Sequence, residues 1–172
     1  MRVLDLAGAS QQTVTFITGL GHQLYSDDML LVLDRVFGTV DPYANQTNRA
    51  LAEEFIESAL DFPAGHFDGV LLWDTLQFFE PALLSAVMRR LHRVLRPTSF
   101  LFALFNAAER SGPVPVYSYR IADQRTILMQ PRGERAPAQY FNNRDLERLF
   151  QEFESVKFFL TRDALREVIV RR

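Results

Sequence analysis

The first ten residues constrain the fold of this chain more than any other stretch. Arg2-Val3-Leu4-Asp5-Leu6-Ala7-Gly8-Ala9-Ser10 runs from an apolar segment into an acid, then into a loop of very small side chains, then into a helical pattern. Strand, tight small-residue turn and helix, in that order, are how a nucleotide-binding α/β domain opens. The turn holds a single glycine, Gly8, where such loops use several.

The rest of the chain reads as alternating strands and helices. Helical patterns follow at 11–20 (Val14, Phe16, Ile17, Leu20), from Met29 (Leu30, Leu33, Val36, Phe37), after Asn45 to Asn48 (Leu51, Phe55, Ile56, Ala59), and from Pro81 (Leu83, Leu84, Val87, Met88, Leu91, Val94). A last helix follows the Asn142-Asn143 cap. Strands are expected at 3–6, weakly at 22–25, at 67–73, at 100–105, and at 153–160 and 167–171. Strand three of a doubly wound sheet is missing or very short. About six residues separate the last two strands, too few for a parallel crossover, so that pair must be antiparallel. The expected fold is α/β: a Rossmann-like three-layer sandwich with a mostly parallel sheet and an antiparallel C-terminal hairpin. One domain spans 1–172, with a lid or hairpin insertion at 106–140, where Val116 to Ile121 and Thr126 to Gln130 can pair.

Composition narrows the chemistry. The net charge of −2 argues against nucleic acid and anionic membrane as partners. The chain has no cysteine, which excludes disulfides and thiol catalysis. His22, His66 and His92 show no metal spacing. No signal sequence or membrane-length apolar run is present, so a cytoplasmic location is the default expectation. Fifteen phenylalanines predict a phenylalanine-rich core, with Phe100, Phe102 and Phe105 in a buried strand.

Three stretches resemble the class I S-adenosylmethionine-dependent methyltransferases. Val3 to Ser10 is similar to the family's first motif. Phe62-Pro63-Ala64-Gly65-His66-Phe67-Asp68-Gly69-Val70-Leu71-Leu72-Trp73-Asp74 resembles the approach to its fourth strand, with a Phe-Asp pair. Leu91-His92-Arg93-Val94-Leu95-Arg96-Pro97 resembles the helix end before its fifth strand. The family favours Asp-x-Gly-x-Gly-x-Gly; here those glycine positions read Ala7, Ala9 and Gln11, with Gly8 displaced. After Leu-Arg-Pro the family usually has glycines, where this chain has Thr98-Ser99.

The resemblance implies S-adenosylmethionine as cofactor, held by Asp5, Ala7, Gly8, Ala9, Asp27, Trp73 and Asp74. Asp27 lies twenty-two residues after Asp5 and has the chemistry to accept from two ribose hydroxyls. Equally, Ser26, Asp27 and Asp28 read as caps of the next helix. Glu57 and Asp61 are candidates for the acid that reads the adenine edge; both also read as solvated charges. Trp73 and Asp74 have a structural reading as well, a core-edge tryptophan and a helix cap. Tyr117, Tyr119, Tyr140 and Phe141 can wall a substrate site or simply pack. Arg120, Arg125, Arg132 and Arg135 can meet an anionic substrate, with a solvated face as the plainer reading. No catalytic residue and no metal site stand out; Asp74 is the nearest to a general base. The function implied is methyl transfer to an unidentified acceptor, small molecule or otherwise. The alternative is a non-catalytic methyltransferase-like module that has lost the cofactor, favoured by the eroded loop. A nicotinamide dinucleotide protein fits the closing hairpin and the Leu-Arg-Pro stretch poorly.

Overall fold

The computed structural model describes residues 1–107, 112–161 and 164–172. The elements in order are β1 (Arg2–Asp5), α1 (Gln11–Gly19), β2 (Gln23–Ser26), α2 (Met29–Phe37), α3 (Arg49–Leu60), β3 (Phe67–Trp73), α4 (Pro81–Val94), β4 (Leu95–Asn106), β5 (Val114–Ile121), β6 (Ile127–Arg135), α5 (Asn143–Leu149), β7 (Ser155–Leu160) and β8 (Leu165–Arg171). A six-stranded sheet has the order β2-β1-β3-β4-β8-β7. The first four strands are parallel, and β8 runs antiparallel to both β4 and β7. This is the mostly parallel α/β sheet with an antiparallel close that the alternation and the short last link predict. β5 and β6 form a separate two-stranded sheet.

Chain direction reverses at β1. The first crossover carries the chain to β2 on one side, and the next returns it past β1 to β3 on the other. Right-handed crossovers in opposite directions put their helices on opposite faces. So α1 lies alone on one face, while α2, α3 and α4 cover the other. Their apolar stripes close over Leu4, Phe67, Val70, Leu72, Leu101, Ala103 and Phe105 to make the main core, with Leu146 of α5. Each buried aliphatic or aromatic side chain there contributes about 1.5–3 kcal/mol.

Several local expectations need correction. The buried stripe of α1 is Thr13 and Ile17, and Leu20 is exposed. α1 packs chiefly against β2 and β5, and its outer positions stay in solvent. Phe100 is 53% exposed, because it points with Ile169 and Phe159 to the α1 face, beyond the part that α1 and the β5–β6 hairpin cover. The expected absence or shortness of a third strand agrees with the described residues, among which no strand forms between α2 and α3; buried Gln46 organises that turn, donating to the Phe78 carbonyl (3.2 Å) and accepting from the Glu80 amide (2.6 Å). α4 ends at Val94 and the strand begins at Leu95, so Pro97 lies within β4.

The two motif stretches at 62–74 and 91–97 are tied to each other. Arg96 donates to Asp68 Oδ1 (2.7 Å) and to the Gly65 carbonyl (3.0 Å), while the Arg2 amide donates to Asp68 Oδ2 (2.6 Å). That amide and Arg96 hold the Asp68 carboxyl below its usual range. These residues hold β1, β3 and β4 in register at the end of the sheet away from the loop after β1. Thr98, where the family usually has glycine, sits at φ 67. A β-branched residue in that region is strained, and its amide is committed to the Arg172 carbonyl (2.6 Å). Among the described residues no helix is long and apolar enough to cross a membrane.

Candidate functional site

In open α/β sheets ligands bind outside the carboxyl ends of the strands, where the strand order reverses. Here that crevice lies between the ends of β1 and β3, and it collects Asp5, Ala7, Trp73 and Asp74.

The loop after β1 is held from within. Asp5, 2% exposed, accepts from the Ala7 amide (3.0 Å) and from the Trp73 indole Nε1–H (2.9 Å). Burial raises its pKa, and the two N–H donors work against that rise. Gly8 takes the one left-handed position of the loop, at φ 75. The displaced glycine therefore stands where positive φ is needed, and neither Ala7 nor Ala9 is among the positive-φ residues. The Gly8 amide donates to the Asp27 carbonyl (3.0 Å), and the Ala9 amide to Ser26 Oγ (2.7 Å). Ser10 caps α1 by accepting from the Thr13 amide (3.2 Å). Gln11 is exposed on the first turn of α1 and donates to Thr15 (3.5 Å).

The two acids after β2 divide their work. Asp28 caps α2, accepting from the Leu30 and Leu31 amides (3.1 and 3.2 Å). Asp27 is exposed, and its Oδ1 accepts from the Asp28 amide (2.8 Å). Its carboxylate faces solvent at the carboxyl end of β2. Asp61 pairs with Arg90 (3.2 Å) across the α3–α4 side, and Glu57 lines a cavity of about 790 Å³ on that same side, away from the crevice.

Trp73 is 1% exposed and sits at φ 54. A tryptophan in the left-handed region is a strained exception, and such strain clusters at functional sites. Its ring stacks on Tyr119 at 4.5 Å with 8° between planes. Asp74 is 2% exposed. Burial pushes its carboxyl up to about 6, opposed by the Tyr119 hydroxyl, nearby amides and Arg132. The Tyr119 hydroxyl is pushed upward by burial and by Asp74 beside it. Neither Asp74 Oδ2 nor the Tyr119 oxygen finds a partner of hydrogen-bonding geometry. Tyr119 and Asp74 thus face each other in a buried position, interacting outside strict hydrogen-bonding geometry.

Tyr119 and Arg132 belong to the β5–β6 hairpin, which lies over the crevice. Arg132 donates to both oxygens of Asp28 (2.6 and 3.3 Å), and Arg135 to both oxygens of Asp34 (2.7 and 2.6 Å). The solvated-face reading of these two arginines is corrected by those pairs; the apolar stem of an arginine hides such a role from a sequence pattern. Thr13, which accepts from the Ile121 amide (3.0 Å), gave no signal at all, since it looks like a polar interruption of a helical stripe.

A profile of the family described as "Methyltransferase domain" matches residues 18–103, half of the chain. The chain belongs to that methyltransferase family. The match begins after the loop at 5–10, so it rests on the sheet and helices and not on the eroded motif. No curated protein sequence matches this methyltransferase. Its fold is similar to that of solved structures at low identity. A Pyrococcus horikoshii protein is 17% identical with a TM-score of 0.58, covering 99% of this chain and 81% of the other. A Methanosarcina mazei SAM-dependent methyltransferase is 17% identical with a TM-score of 0.54, covering 99% and 92%. The Burkholderia thailandensis 1,6-didemethyltoxoflavin-N1-methyltransferase, solved with 1,6-didemethyltoxoflavin and S-adenosylhomocysteine, is 17% identical with a TM-score of 0.57, covering 99% and 70%.

The donor set of the methyltransferase suits its family's cofactor in kind. The loop carries no side chain larger than serine, Asp27 offers a free carboxylate edge, and the aromatic face of Trp73 is covered by Tyr119.

Proposed function

We propose that this methyltransferase binds S-adenosylmethionine across the carboxyl ends of β1 and β3 and methylates a small-molecule acceptor. The observation that carries the reading is the convergence of Asp5, Ala7, strained Trp73 and buried Asp74 at the reversal point of the sheet. Asp27 binds the ribose hydroxyls, as a carboxylate that accepts from two donors. Ala7 to Ser10 let the backbone approach closely, with Gly8 supplying the turn. Asp5 positions the loop and the indole at once. The cofactor supplies a methyl group already activated by its sulfonium. Aromatic faces next to that charge stabilise it by about 0.5–2 kcal/mol. Asp74 is the carboxylate that accepts a proton, at Oδ2, from an acceptor that has one to lose.

A small acceptor is supported by the net charge, which does not attract nucleic acid, and by the small heterocycle held in the Burkholderia structure. The lid role of the 106–140 insertion belongs to the same reading, with residues 108–111 of that stretch outside the described ones. Calorimetric titration with S-adenosylmethionine and S-adenosylhomocysteine tests it. Saturable binding is expected, and Asp27→Ala should weaken it by about 1.5–3 kcal/mol with the fold intact. Unchanged affinity in that variant assigns Asp27 to the loop alone. An absence of binding by the wild type points to a module that has lost its cofactor.

A further inference from the structure

We infer that the β5–β6 hairpin holds the cofactor crevice shut, with the Arg132–Asp28 ion pair as its latch, so that cofactor enters only after the hairpin lifts. The inference rests on the cofactor reading above and adds to it a competition within the chain itself.

The geometry of the hairpin carries it. Tyr119 lies flat on Trp73 in one buried cluster with Ala7, Leu104 and Leu165. That cluster fills the reversal point where a nucleoside has to lie. Arg132 reaches over the loop to Asp28, the residue whose backbone bridges Ala7. Ile121 ties the far end of β5 to Thr13 on α1.

The same geometry allows movement. β5 and β6 pair only with each other, so the hairpin can lift as a unit without breaking a hydrogen bond of the six-stranded sheet. What holds it down is a stack, side-chain ties and apolar contact. The outer strand β6 is largely solvated, with Ile127 and Leu128 exposed. Lifting must also free Val114, Val116 and Tyr119 of β5 from their buried places and break the Arg135–Asp34 pair of β6, so the open form is a minor local opening below the global unfolding free energy.

Release also leaves no charge stranded. When Arg132 departs with the hairpin, Asp28 Oδ1 keeps its two α2 amides and Oδ2, which Arg132 held, is uncovered to water. Arg132 is already one-third exposed and gains water. A latch of this kind adds to apparent affinity the cost of populating the open form.

Trp73 is the sole tryptophan of the chain, and its emission reports the stack directly. The test follows S-adenosylhomocysteine binding by stopped-flow tryptophan emission, with calorimetry alongside. The full chain is compared with Arg132→Ala and Arg132→Lys, each checked for fold by circular dichroism. For the wild type the observed rate should level off as ligand rises, because opening limits it. In Arg132→Ala that plateau should rise about tenfold and the apparent Kd fall about tenfold, with Arg132→Lys between the two. Acrylamide should quench unliganded Trp73 more in Arg132→Ala than in the wild type. Raising salt on the wild type should lift the plateau in the same direction, which needs no variant at all.

Equal plateaus, equal Kd and a salt-independent rate, with ligand bound by both proteins, overturn the latch and leave the cofactor reading standing. No calorimetric binding by either protein overturns the cofactor reading, and the latch with it.

Discussion

Beneath the helices the core packs Leu4, Phe55, Phe67, Leu91 and their neighbours as one continuous apolar cluster, with buried Gln46 bonded at its edge, whereas beneath the hairpin Ala7, Trp73, Leu104, Tyr119 and Leu165 share their space with Asp5, Thr13 and Asp74. The first region is mostly ordinary backbone, with an unpartnered ring nitrogen, His66 Nε2, at its margin against Phe62 and Phe67. The second contains a tryptophan at φ 54, a Tyr119–Asp74 contact outside strict hydrogen-bonding geometry and two carboxylates whose pKa is raised by burial. Its contents lower stability locally and are tolerated because the first region holds the fold. Perturbed acids and strained backbone gathered in one crevice support the site proposed there.

The contrast can be broken or sharpened by substitution. The largest effect belongs to the apolar core. Phe55→Ala, at a fully buried position, should lower unfolding free energy by about 3–5 kcal/mol. Denaturant titration checks this, and the folded fraction should bind S-adenosylhomocysteine as the wild type does. A loss below about 1 kcal/mol would erase the distinction between the two regions.

Asp74→Asn should act in the opposite direction. The folded pKa stands at about 6 against 3.8 for a free carboxyl. Between those values the native state holds a proton that the unfolded chain has released, so stability falls as pH rises through this window. At pH 8 the variant should therefore be more stable than the wild type by about 2–3 kcal/mol. It should also lose most of the decline between pH 4 and 6 seen in urea midpoints. A wild-type midpoint that climbs over that range would contradict the buried-acid assignment.

The smallest effect separates two left-handed positions. Thr98→Gly relieves strain outside the site and should raise the melting temperature, with a gain of about 1 kcal/mol. Ala7→Gly with Ala9→Gly relieves nothing, since Gly8 already takes the left-handed turn. Those two should cost about 0.4–1 kcal/mol each through the freedom of the unfolded chain, without tightening cofactor binding.

The fold was legible because its signals are periodic. Apolar stripes on α2 and α4, the continuous run of β3 and the short link before β8 each have one economical interpretation. The family resemblance was legible for a related reason. Asp68 and Arg96, which carry two of its motifs, are the ion pair that ties β3 to β4. The site was harder. Asp27 and Asp28 are adjacent in sequence, and only φ and ψ decide which of them caps α2. Arg132 meets Asp28 at a separation of 104 positions in the chain, a pairing that no local spacing encodes. The erosion of the loop looked more serious in sequence than it is in space, because one glycine at the right position does the work of the turn.

β4 faces an assembly problem that its neighbours do not. One of its edges pairs with β3, and the other pairs through seven residues, Phe100 to Asn106, with β8. During synthesis that second edge stays open until residues 165–171 emerge, and it is rich in phenylalanine and leucine. An unpaired apolar strand edge is a template for pairing with other chains. The nascent methyltransferase is therefore most prone to associate with copies of itself before β8 emerges, and disruption of β8 should be felt as insolubility before it is felt as lost activity.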